Sequence, residues 1–254
     1  MTAACDHDAV PSPADPDSDP DADRAADPGP VRDVDVWLLR LDDTAAGLAD
    51  AHGLALPTGG SAVEWLDADE RARAASLRDA TDRQRWLLSH VALRLLVGRV
   101  LDRHPADVAW RREPCRRCGG PHGRPVVVDG GGLHLSLSRA GSTALVALRH
   151  GQPVGVDVER RAPAPDDALL RWVRTEAVLK STGEGLTRDP AAVPLRDRAP
   201  GRWTSPVGGK GDGGDPPVEG IDLDLGDAAL AAAAAGPALH RSALRVHLPD
   251  TAST

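Results

Sequence analysis

At 254 residues, 41% of them hydrophobic, the chain can build one large domain or two small ones around a real core. Its net charge of −8 is unevenly placed: the first thirty residues hold eight Asp against one Arg, so everything after them is nearly neutral, and nucleic acid is a poor fit as partner. No apolar run reaches the roughly 18 residues of a membrane span, the N-terminal residues lack the plan of a secretory signal, and three Cys form no disulfide framework, so a cytoplasmic protein with no membrane partner is expected.

Residues 1–30, rich in Asp, Pro and Ala, cannot bury enough apolar surface to offset their ordering entropy and read as a disordered acidic tail. Order begins at VDVWLLRL, residues 34–41, whose alternation is that of a strand. Residues 67–101 read as helix, with charge and Ala first and then apolar residues at helical spacing, stopped near Asp102 and Pro105. PCRRCGGPHGRP, residues 114–125, is too rich in Gly and Pro for regular structure. Three short strands follow, RPVVV, LHLSLS and TALVALR, with Leu133, Leu135 and Leu137 on one face and Ser136 and Ser138 on the outward one. The turn HGQP then joins TALVALR to VGVDVE as a hairpin. A helix spans 167–181, closed by Gly183, with Leu170, Val173 and Ala177 as its buried stripe. Residues around 186–220 read as a flexible Gly/Pro loop, and the remainder as one or two strands with a weak Ala-rich segment, giving an α+β protein. The chain lacks Phe, Tyr and Asn and has one Ile, so Leu, Val, Ala and Trp must fill the core.

Asp157 and Glu159 stand two apart on a strand and so leave the same face. Such a pair suits either a metal site or an exposed sheet edge defended by charge. On the following helix Trp172, Glu176 and Lys180 fall at i, i+4 and i+8. A third carboxylate beside the first two makes an oxygen-rich site of the kind Mg²⁺ prefers, with a Lys to hold a phosphate; the plain alternative is a helix-stabilising Glu/Lys pair. Only two Lys occur in the chain beside 28 Arg. Arg111, Arg112, Arg116, Arg117 and Arg124, with His122, form a basic cluster whose guanidinium forks suit phosphate, and which a solvated loop would also present. Cys115, Cys118 and His122 are either part of a zinc site or free thiols in a loop.

DERARAASL with DRQRWLLSHVALR, then HGRP, LHLSLSRAG, VGVDVE and WVRTEAVLKSTGEGL occur in this order between about residues 63 and 188, with an echo in GIDLDLGDAALAAAAAG. Together they resemble the 4'-phosphopantetheinyl transferase superfamily, in its larger monomeric class serving surfactin-type synthetases. The resemblance implies two pseudo-symmetric halves, residues 31–152 and 153–248, each a small sheet packed with a long helix, with coenzyme A in the cleft between them. It implies Mg²⁺-dependent transfer of the phosphopantetheine arm of coenzyme A to a Ser of an acyl or peptidyl carrier protein, releasing 3',5'-ADP, by a monomer. The family's metal ligands fall on Asp157, Glu159 and Glu176, and its pyrophosphate lysine on Lys180. Its nucleotide and phosphate contacts fall on Arg85, on Arg124 of Gly123-Arg124-Pro125, and on Ser138 and Arg139. Glu176, or a water held by the metal, is the candidate base. A relative that binds coenzyme A or a carrier without turnover, and a scaffold using the acidic tail, are the alternative readings.

Overall fold

The computed structural model describes residues 34–54, 61–114, 119–120, 123–161, 167–207, 216–227 and 230–249. The acidic tail and the Cys115, Cys118 and His122 trio lie outside the described residues. Strand β1 (Val34–Arg40) is followed by helices α1 (Ala45–Ala51), α2 (Ala68–Ala75) and α3 (Ala80–Leu101). Next come β2 (Trp110–Arg112), β3 (Pro125–Val127), β4 (Leu133–Ala140), β5 (Thr143–His150) and β6 (Gly155–Arg160), then α4 (Asp167–Thr182). Strands β7 (Arg196–Ala199), β8 (Arg202–Ser205), β9 (Val218–Asp222), β10 (Leu230–Pro237) and β11 (Leu244–His247) complete an α+β fold.

One sheet has the order β11-β1-β5-β4 and another β6-β10-β9-β8-β7, while β2 and β3 form a separate ribbon. The alternation of each strand distributes its side chains between layers. On β1 and β5, Leu39, Ala144, Val146 and Leu148 join α3 residues such as Leu88, Val91 and Leu95 in one core. Their opposite faces, Val34, Val36, Leu145 and Ala147, meet Val156, Val158, Ala232 and Ala234 of the second sheet. The far face of that sheet, Ala231, Ala233 and Ala235 with Trp203, packs on Val173, Ala177 and Val178 of α4. The layers therefore run helix, sheet, sheet, helix, and the C-terminal strand β11 returns to pair parallel with β1 in the first sheet.

Five sequence expectations change. The helix of residues 67–101 is two: Asp67 and Glu70 form a capping box on α2, and the Asp79 side chain accepts from Asp82 N to start α3, a local hydrogen bond that competes with continuing the helix. TALVALR and VGVDVE do not form a hairpin; β5 pairs with β1 and β4, and β6 pairs with β10. Ser136 and Ser138 are buried rather than outward, because Val156 N and Val158 N of β6 donate to their Oγ atoms and seal the two sheet edges together. Residues 186–220 include β7, β8 and the start of β9, a ladder pinned by Trp203, which is fully buried and lies against Gly220, where any Cβ would strike the indole. On α4, Leu170 is only half-buried, and Val178 and Leu179 join Val173 and Ala177 inside.

Beneath α3 lies a buried polar knot. Arg94 Nε donates to Glu70 Oε2 at 2.8 Å, and its other nitrogens reach Asp67 Oδ2 and the Pro105 and Val108 carbonyls. Glu70 Oε1 takes His90 Nδ1 at 3.0 Å and the Trp110 indole N–H at 3.3 Å, while Oε2 accepts from Asp67 N. Burial alone would raise the Glu70 pKa, but the hydrogen bonds from His90, Arg94 and the Asp67 backbone hold it at about 2. This knot ties α2 and the β2 ribbon to α3 and so fixes one wall of the molecule.

Candidate functional site

The site lies at the seam where β4 and β6 abut, under α4. Asp157 points from β6 toward α4 because its neighbours Val156 and Val158 occupy the inter-sheet core. Its cross-strand partner is Ala233, one of a run of small residues on β10 that leaves room above the sheet for the helix. Gly155 performs the same service on β6: a Cβ there would collide with the Ala177 carbonyl oxygen and Ser181 N. This backbone approach brings the last turns of α4 down on Asp157.

Asp157 is 3% exposed, and both its donors converge on one oxygen. Ser138 Oγ donates to Oδ1 at 2.6 Å, and Lys180 Nζ donates to the same Oδ1 at 2.6 Å. Oδ2 is buried with no hydrogen-bond partner, and so is Oε1 of Glu176. The Glu176 pKa is raised by burial and by the charges of Asp157 and Glu159, against the lowering field of Lys180. Burial and the Asp157 charge raise Glu159 as well, and the Trp172 indole N–H that donates to it works the other way. Strand and helix are thus registered against each other: Asp157 faces Lys180, Glu159 faces Trp172, and Glu176 lies between them on α4. Trp172 itself is 40% exposed at the rim.

Buried carboxylate oxygens without donors, beside two glutamates whose pKa values are raised by burial and neighbouring acids, match the donor chemistry of a hard divalent cation. Asp157, Glu159 and Glu176 are the residues that could hold it. They do not stand ready for it: among the described residues no three His, Cys, Asp or Glu side chains form a preassembled metal cluster, and the Lys180 ammonium already neutralises Asp157.

The remaining residues singled out in the sequence sit around this centre. Arg124 is largely buried; it forks onto both oxygens of Glu113 and donates from Nη1 to the Ser181 carbonyl at 2.7 Å, bracing the end of α4 next to Lys180. Arg85 donates from Nε to Asp42 Oδ1 at 2.7 Å; that carboxylate also takes a Ser142 hydrogen bond and the field of Arg160, which continues β6 beyond Glu159. Arg139 is exposed at the end of β4, near the Asp82 carboxylate and the like charge of Arg73. The structure therefore gathers Ser138, Asp157, Glu159, Glu176 and Lys180, with Arg124 behind them, while Arg85 is paired with Asp42 and Arg139 lies exposed outside this group. Sequence reading missed Gly155 and the Trp172 contact to Glu159. The glycine opening the strand GVDVER was the available signal for close backbone approach.

An α+β protein with an acid and lysine centre at a sheet seam is the class these features define. No family model matches the chain. It is similar to a protein of Synechocystis sp. (strain ATCC 27184 / PCC 6803 / Kazusa) named "Putative 4'-phosphopantetheinyl transferase slr0495", at 26% identity over 151 residues, or 48% of this chain and 58% of that protein. This likeness supports the superfamily resemblance read from the sequence motifs. The chain spans a little over half the length of the relative it matches. Among the described residues no helix is long and apolar enough to cross a membrane.

Proposed function

We propose that this chain transfers the 4'-phosphopantetheine group of coenzyme A to a serine of an acyl or peptidyl carrier protein, with Mg²⁺ held by Asp157, Glu159 and Glu176. The observation that carries the reading is the buried Asp157, shared by Ser138 and Lys180 on one oxygen and without a donor on the other, beside a Glu176 oxygen equally bare. In this reading residues 31–152 and 153–248 are the pseudo-symmetric halves of the larger monomeric class, and coenzyme A lies in the cleft at their junction.

The carrier serine oxygen bonds to the β-phosphorus of coenzyme A while the bond from that phosphorus to the bridging oxygen breaks. The electron pair leaves with 3',5'-ADP, and the serine proton passes to Glu176, whose pKa is raised by burial and the neighbouring acids, which makes it a stronger base than a free carboxylate. Mg²⁺, when bound, supplies the positive charge that the pyrophosphate oxygens need. Lys180 holds the pyrophosphate, Arg85 and Arg139 contact the phosphates and nucleotide, and Ser138 stays on Asp157 and orients it. Arg124, engaged by Glu113 and the Ser181 carbonyl, serves by keeping the α4 end in place. The nucleophile arrives on the carrier, so the chain needs no catalytic serine of its own.

Incubation with coenzyme A, Mg²⁺ and several apo carrier proteins, read by intact mass, gives a phosphopantetheine-sized gain on the carrier. Asp157→Ala abolishes that gain more completely than Arg124→Ala, because loss of the metal removes the largest local charge. The second reading, a relative that binds coenzyme A without turnover, is favoured by the absence of a preassembled metal cluster among the described residues. Coenzyme A binding with no mass gain on any carrier selects it.

A further inference from the structure

Two donors share Asp157 Oδ1, and they differ in how firmly they are held. Ser138 is buried on β4, and its hydroxyl also accepts the Val158 N–H, so it cannot leave without opening the seam between the sheets. Lys180 reaches the same atom on a flexible four-carbon stem from the last turn of α4, and its side chain keeps 28% of its surface in solvent. Three carboxylates, Asp157, Glu159 and Glu176, face this single ammonium, and two of their oxygens, Asp157 Oδ2 and Glu176 Oε1, are buried with nothing to bond. A carboxylate 97% buried needs a counter-charge at all times. The structure supplies one on a long, partly exposed stem.

We propose that Lys180 is a tethered place-holder cation: it neutralises Asp157 while the protein is free of metal, and a divalent cation taken up by the bare carboxylate oxygens displaces it. The released ammonium, still anchored at the rim by α4, is then available to a phosphate-bearing substrate. Metal uptake and phosphate recognition are thereby coupled, since an ammonium that leaves Asp157 is free to turn its charge and all three N–H donors to a phosphate. This rests on the metal-dependent reading of the site given above, but concerns a different event, the exchange of one cation for another.

Two measurements on the full chain test it. The sequence contains only two lysines, Lys180 and Lys210, so amine acylation followed by peptide mass mapping reads Lys180 directly with Lys210 as internal reference. In wild-type protein, Mn²⁺ raises the acylation rate of Lys180 severalfold relative to Lys210. By titration calorimetry, Lys180→Met binds Mn²⁺ severalfold more tightly than wild type, because no resident cation has to be expelled. If Mn²⁺ binds while Lys180 acylation stays unchanged or falls, or if Lys180→Met binds Mn²⁺ no better than wild type, the place-holder role is overturned and the metal site stands. If neither protein binds Mn²⁺, the metal reading of the site is overturned, and the exchange with it.

Discussion

Glu70→Gln removes the central carboxylate of the polar knot under α3, leaving Asp67 in place and preserving the side chain's shape. In the folded protein the Glu70 carboxyl titrates at about 2 rather than 4.5, and its side chain is only 9% exposed, so solvent screening discounts little. That depression corresponds to roughly 3 kcal/mol of stability at neutral pH. Its sign follows from which state binds the proton more readily. The unfolded chain protonates first, so the contribution is complete above pH 4.5 and is lost as pH falls toward 2. Urea unfolding at a series of pH values therefore finds the variant weaker than wild type by roughly 3 kcal/mol at pH 7, with the gap narrowed to about half by pH 3. A gap of constant size from pH 7 to 3 would refute this reasoning and assign the loss to packing around Arg94 instead.

The site yields further expectations. Gly155→Ala drives a methyl into the α4 backbone and costs about 1–3 kcal/mol in urea unfolding, with phosphopantetheine transfer falling alongside; unchanged stability would remove the close-approach role of that glycine. Glu176 is the opposite of Glu70, because burial and the neighbouring acids raise its pKa, so its charged form destabilises the fold above pH 4.5. Glu176→Gln thus raises the melting temperature of the metal-free protein at pH 7 while abolishing transfer, and a lowered melting temperature would contradict the assigned repulsion. Ser138→Ala deprives Asp157 Oδ1 and Val158 N of their shared partner and lowers stability by about 1–3 kcal/mol, measured by the same urea titration.

Strands with sharp alternation were plain in the sequence: VDVWLLR, LHLSLSRA, TALVALRH and GVDVER all fold as strands, and Asp157 and Glu159 share a face as their spacing requires. The helix carrying Glu176 and Lys180 ends at Thr182, next to Gly183 at φ +73°, where the glycine signals it. Pairing was not legible, because it depends on partners far along the chain. Nothing local to β6 says that its ladder forms with β10, a run of alanines with poor strand propensity that is recruited because small side chains on both faces fit between a sheet and a helix. The serines of β4 were read as solvent-facing for the same reason: the strand that covers them is another sheet's edge. The engagement of Arg124 with Glu113 was equally hidden, since a basic cluster gives no sign of which member is already paired.

The parallel pairing of β11 with β1 has a consequence for how this molecule comes into being. Asp35 and Arg245, joined by a two-pronged ion pair across that ladder, are 210 positions apart. A ribosome delivers β1, β5 and β4 long before β11, and until the final strand emerges the outer edge of β1 displays open backbone amides and carbonyls to any extended segment nearby. The chain therefore cannot be cut at the β5 to β6 turn into two self-sufficient pieces. The first sheet borrows its closing strand from far along the chain, so completion of the fold waits until β11 has emerged.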